Sequence, residues 1–208
     1  MVFIVFGYRF LSQFFLFISS LKMGNQPALK DDLIPPSPPQ LFLPFEATNS
    51  AQVKLTGSTE PEITVYVSLN KTSVGIVTAN ENGDFEQNLQ LNEGQNTITA
   101  VAIDMSGNKS QPSIPISVDF RSAMPKLEVI TPKDGQQFSG TNNRVEIKGK
   151  TDPENRIMIN DRVVIVSSGG NFSFTAGLVS GENSFIIRAV DRAGNQKQQE
   201  LKVIYQRE

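Results

Sequence analysis

The sequence contains no cysteine, no histidine and no tryptophan. Without cysteine there is no disulfide, no thiolate nucleophile, no Cys-based zinc site and no lipid attachment through a thiol. Without histidine, Ser-His-Asp and Cys-His catalysis and every imidazole-metal site are excluded. An excess of one charge is missing as well. There are 19 basic and 21 acidic side chains in 208 residues, a formal net charge of −2. Nucleic acid is therefore not an expected partner, because its recognition needs a basic patch or stripe. No glycine-rich phosphate loop, serine nucleophile elbow or metal-ligand cluster is visible. The reading is of a non-enzyme with no cofactor, no metal site and no catalytic residue, and the sequence names no ligand-binding residue. The length allows one or two domains.

The chain divides into three parts. Residues 1–23 are mostly apolar and carry Phe3, Phe6, Phe10, Phe14, Phe15 and Phe17. About twenty residues at ~1.5 Å rise would span the ~30 Å hydrocarbon core of a bilayer. Arg9 opposes insertion by roughly 2.5–3.5 kcal/mol, which the six phenylalanines together roughly offset. The expectation is a single transmembrane helix acting as an uncleaved signal anchor, with the C-terminal part extracytoplasmic. A cleavable signal would need small residues at its cleavage site, and Ile18 is a poor partner for Ser20. No Lys or Arg precedes the apolar run, and Lys22 follows it. The missing basic flank suggests a start codon further upstream.

Residues 24–40 form a Pro-rich linker with Pro27, Pro35, Pro36, Pro38 and Pro39. Proline at this density favours extended polyproline II, a semi-rigid spacer of roughly 50 Å at most. The remainder is an internal repeat. Val53 to Pro61 matches Val145 to Pro153 at an offset of 92 residues, and Gly83-Asp84-Phe85 matches Gly170-Asn171-Phe172 at 87. Asp104-Met105-Ser106-Gly107-Asn108 then pairs with Asp191-Arg192-Ala193-Gly194-Asn195 at the same 87. Such a period is too long for a solenoid and fits two copies of one small domain.

Within each copy apolar residues alternate with period 2, as in Ile63 to Val67 and Ile157 to Ile159, the mark of strands with one buried face. Turn signals such as Asn70-Lys71, Asn82-Gly83, Asn160-Asp161 and Gly169-Gly170 recur every 8–12 residues. About seven short strands per copy predict an antiparallel β-sandwich. The expected core is Leu55, Val65, Phe85, Ile98, Ala100 and Ile116 in residues 41–120. In residues 125–208 it is Ile147, Ile157, Phe172, Phe185, Ile187 and Val203. Pro112 and Pro115 mark the first copy's last strand as an edge. The short connection Arg121 to Lys126 leaves little slack between the sandwiches.

Gly57-x-Thr59-x-Pro61, Gly83-x-Phe85, Glu93-Gly94-x-Asn96 and Ala102-x-Asp104-x-x-Gly107-Asn108 resemble bacterial immunoglobulin-like domains, and most closely the group named after domain B of glucodextranase. The second copy repeats the pattern at Gly149, Thr151, Pro153, Gly170, Phe172, Gly181, Asn183, Ala189, Asp191, Gly194 and Asn195. The resemblance implies an all-β chain of two tandem Ig-like sandwiches behind a transmembrane helix and linker. It also implies a spacer, adhesin or accessory role and folding without disulfides.

Four features of the sequence bear on chemistry. Asp104 and Asp191 suit Asx-type turns better than calcium, which wants 6–8 oxygen ligands. Glu60 and Asp152 sit on turns in separate domains, not as a paired glycosidase site. Tyr66 is the best candidate for a sugar platform, the remaining phenylalanines being expected mostly inside. Three Asn-x-Ser/Thr matches begin at Asn70, Asn108 and Asn171, and chance accounts for them. The expected role is structural or adhesive, with an envelope protein or a polysaccharide as partner. The alternative is a carbohydrate-binding accessory module of an exported glycosidase system. The polar surface expected from Thr97, Thr99, Gln87 and Asn88 favours the first.

Overall fold

The structure, a computed structural model, describes residues 33–208. The expected membrane anchor and the start of the linker lie outside the described residues. Among the described residues no helix is long and apolar enough to cross a membrane.

Two sandwiches of eight strands each are built from the two copies. The first contains β1 (Gln40–Phe42), β2 (Ala47–Thr48), β3 (Gln52–Ser58), β4 (Thr64–Leu69), β5 (Thr72–Thr78), β6 (Asp84–Gln90), β7 (Gly94–Ile103) and β8 (Ile116–Phe120). The second contains β9 (Leu127–Thr131), β10 (Gln136–Ser139), β11 (Arg144–Thr151), β12 (Arg156–Ile159), β13 (Arg162–Val164), β14 (Asn171–Gly177), β15 (Gly181–Val190) and β16 (Gln196–Gln206). In the first, sheet β1-β3-β6 packs on sheet β2-β8-β7-β4-β5; in the second, β14-β11-β9 packs on β10-β16-β15-β12-β13.

The sheets are not purely antiparallel. β2 runs parallel to β8, and β10 runs parallel to β16. The cause is the first edge segment of each copy, which starts in one sheet and finishes in the other. Pro44 lies at one crossing and Pro132 at the other, where a ladder donor is missing and the chain leaves its strand. The first copy's last strand is consequently not an edge: β2 covers it, and Pro112 and Pro115 precede it rather than lie within it.

The alternation places the cores as the sequence implies. Leu55, Val65, Phe85, Ile98 and Ala100 are buried in the first cluster, and Ile147, Ile157, Phe172, Phe185, Ile187 and Val203 in the second. Ile116 is the exception. It lies at the start of β8 and is only half-buried, and Val118 is the buried residue of that strand. Gln87 also departs from expectation. It shares the inward face of β6 with Phe85 and Leu89 and packs its amide over Gly75 of β5, where a Cβ would lie 2.6 Å from the amide carbon.

The last residues of the expected linker are part of the first sandwich. Pro36 and Pro39 are buried, Gln40 opens β1, and the Ser37 N–H donates to Glu60 Oε1 at 2.8 Å. A spacer reading can extend only to the residues before this docked stretch.

Candidate functional site

Each shared motif is taken up by backbone geometry. Gly57 sits where the Phe85 ring crosses β3, and a Cβ there would meet the ring and, at 2.7 Å, the Gln40 carbonyl. Gly149 does the same beneath Phe172 and beside the Glu128 carbonyl. The glycine thus lets a phenylalanine fill the core while β1 or β9 pairs alongside.

Asn96 is fully buried. Its Oδ1 accepts from the Asn92 N–H at 3.0 Å and from Asn70 Nδ2 at 3.1 Å. Its Nδ2 donates to the Asn92 and Gly94 carbonyls at 2.7 and 2.9 Å. Asn183 repeats this with Val179 and Gly181. The amide therefore satisfies the turn that opens β7 or β15, as buried polar groups require. Asn70 in turn accepts from the Thr97 N–H at 2.8 Å, as Asn160 does from Ile186. Asn70 and Lys71 both have positive φ, 52° and 69°, which matches the twist of a two-residue hairpin.

The Asp104 carboxylate closes its own turn. It accepts from the Asn108 N–H and from Asn108 Nδ2, both at 2.8 Å. The Asn108 side-chain bond is the largest influence on its pKa and, helped by the turn's N–H groups, holds it below the ordinary aspartate value against desolvation. Asp191 and Asn195 make the same pair of bonds. Among the described residues no group of three or more acidic side chains is placed to hold a metal ion.

What the sequence did not reveal is the use of these turns at the joint between the sandwiches. Asn195 Nδ2 also donates to the Arg121 carbonyl at 2.8 Å. Arg192 reaches Glu46 of the first sandwich at 3.6 Å and Glu154 of its own at 3.4 Å. Arg121 pairs with Asp119 at 2.6 Å, which raises its pKa further, with Glu154 and Asp191 adding to the field. The Ser122 N–H donates to Glu93 and the Lys126 N–H to Asp152. Glu60 and Asp152, equivalent positions, thus both receive an N–H from the chain entering their sandwich. Their neighbours differ. Thr151 donates to the Lys126 carbonyl at 2.6 Å and accepts from Asn155, whereas the buried Thr59 hydroxyl has no partner among the described residues.

The exposed aromatic on a sheet face is not Tyr66 alone. Tyr66 is 37% exposed and lies between Ile76 and Val101 on neighbouring strands. Phe42 is 63% exposed, faces outward opposite Thr56, and borders an open cleft with Gln40, Ser58, Asp84 and Glu86. The inward expectation for the phenylalanines fails here because Leu41 takes the inward position of this three-residue strand.

Comparison with known proteins agrees with this geometry. Residues 44–120 match the family described as "Glucodextranase, domain B". The chain is 14% identical to, and superposes with a TM-score of 0.54 on, the "fibronectin(III)-like modules" of Clostridium thermocellum CbhA, over 81% of this chain and 94% of that one. The chain carries tandem immunoglobulin-like domains. It is also 30% identical over 152 residues to "Bacillopeptidase F" of Bacillus subtilis (strain 168), covering 71% of this chain. That match spans only 10% of the relative's length. In these Ig-like domains the shared motif residues are the structural ones described above.

Proposed function

We propose that the protein is a non-catalytic, membrane-anchored, extracytoplasmic module whose two Ig-like domains form a stiff spacer presenting an interaction surface. The observation that carries this reading is the joint. The turn motif of the second domain is turned outward to hold the Arg121 carbonyl at the start of the connection, and Arg192 links both domains. Six connecting residues pinned at Ser122 and Lys126 leave little freedom. The apolar N-terminal run supports anchoring, since its length suits a bilayer. An envelope protein or polysaccharide is the partner class that suits such placement. The test is the distance distribution between spin labels at Asn88 and Thr175, one per domain, in the full chain. A stiff spacer gives a single narrow distribution that Asn195→Ala broadens; a broad distribution in the unaltered chain contradicts it.

A second reading, a carbohydrate-binding accessory role, is favoured by Phe42. An exposed aromatic ring beside Gln40, Asp84 and Glu86 offers the stacking face and polar groups that sugar recognition uses. Retardation of the protein in gels containing envelope polysaccharides, abolished by Phe42→Ala, would support it; retardation unchanged by Phe42→Ala would exclude this cleft.

A further inference from the structure

We infer that the tip of the first domain where the chain enters docks on a lipid surface, so that the spacer stands on the membrane as well as being tied to it. The inference rests on the anchored reading proposed above. It is carried by a difference between the two copies. In the second domain the turn residue Arg192 faces the body that precedes the domain and reaches Glu46 across the joint. The equivalent residue of the first domain is Met105, which is 90% exposed. The chain entering the second domain carries Arg121 and Ser122, whereas the chain entering the first carries Leu33 and Ile34, 78% and 77% exposed. The turn itself is unchanged, since Asp104 and Asp191 close it with the same pair of bonds. The fold at this end is therefore shared. What differs is the side chains that face the preceding body, which are cationic and polar where that body is a protein domain with an acidic lip, and apolar at the first domain.

The occupant follows from what precedes this tip. The apolar run is followed by Lys22, and Leu33 comes eleven residues later. Fully extended, that stretch spans at most about 40 Å; as a flexible chain its end-to-end distance is roughly 18 Å. An anchor in the bilayer thus keeps Leu33, Ile34 and Met105 within reach of the headgroups. On so short a tether they meet the interface at high effective concentration, so partial burial of three side chains at the headgroup–acyl boundary suffices to hold the tip there. Met105 also borders an open cleft with Glu62 and Glu81. These carboxylates set the headgroup preference: a zwitterionic surface is accepted, and an anionic one is repelled.

The native absence of cysteine makes the test direct. The full chain is reconstituted into phosphatidylcholine vesicles and isolated with them by flotation. A nitroxide on Met105→Cys reports its collisions with oxygen, which concentrates in the bilayer, and with a water-soluble nickel complex. The reference is the same label on Val179→Cys, an exposed apolar position in the loop before β15, at the far end of the second domain. The expected oxygen-to-nickel ratio at position 105 is at least about fivefold that at position 179. Adding Leu33→Glu and Ile34→Glu should lower it at least about threefold, which shows that the chain and not the label holds the tip down. Exchanging part of the lipid for phosphatidylglycerol should lower it as well. Equal ratios at the two positions in floated protein, or no response to the Leu33 and Ile34 variants, would overturn the inference and leave the anchor standing. A chain that does not float would overturn both. Slow collisions with both probes at position 105 would mark a protein contact, such as a second copy, and would overturn the lipid surface as the occupant.

Discussion

Replacing Asn96 with alanine removes four hydrogen bonds at one fully buried site. Asn70 and Asn92 are exposed, so water can satisfy much of what they lose. The Gly94 carbonyl is half-buried and recovers less. A buried group left dry costs about 1–3 kcal/mol, and each net bond about 1 kcal/mol. With the small void added, the expected loss is roughly 2–4 kcal/mol. For a domain of this size each kcal/mol moves the melting midpoint by about 4–8 °C, so the first domain's transition should fall by roughly 8–32 °C. Calorimetry of the full chain reads this, with Asn88→Ala on the exposed face of β6 as the neutral control. A loss below about 1 kcal/mol, or a loss matched by Asn88→Ala, would refute the reasoning that this motif residue serves the fold.

Gly57→Ala should cost roughly 1–3 kcal/mol or more, because the new methyl meets both the Phe85 ring and the β1 backbone; urea unfolding checks it, and a neutral result would mean the ring is not held there. Asn195→Ala should make the Arg121–Lys126 connection more sensitive to trypsin, since its carbonyl anchor is lost; unchanged cleavage kinetics would mean the joint is held by other contacts. The pKa values of Asp104 and Glu146 are both lowered, by bonds from Asn108 and from Lys148 with Ser173 respectively. Their contribution is therefore complete above the unfolded-state values and is lost as pH falls through the lowered folded values. Asp104→Asn should flatten the acid limb of a stability-against-pH curve, and an identical limb in the variant would count against the turn's role.

Alternation and turn chemistry made the two sandwiches legible. Ile98 and Ile187 lie on the buried face of ten-residue strands, and Asn70-Lys71 announces its hairpin. What escaped the sequence was set by long-range geometry. Leu41 and Phe42 form so short a strand that no period identifies which faces the core. Gln87 looks like a surface residue until Gly75, on the facing sheet, makes room for its amide. The parallel pairing of β2 and β10 follows from a chain crossing between sheets, which local pattern does not encode. The outward bond of Asn195 depends on where the neighbouring domain ends, so a repeat unit read alone cannot reveal it. Ile116 has the right parity but too few neighbours at its strand's end.

The measurement that tests the proposed role most directly is protease shaving of intact cells that express the full chain with a C-terminal epitope tag. An anchored extracytoplasmic tandem predicts that protease removes the tag from whole cells while the cytoplasmic controls survive. A tag protected in intact cells and cut only after lysis would contradict it. Lys22 would then act as a positive-inside signal, and the Ig-like pair would belong to an enclosed compartment.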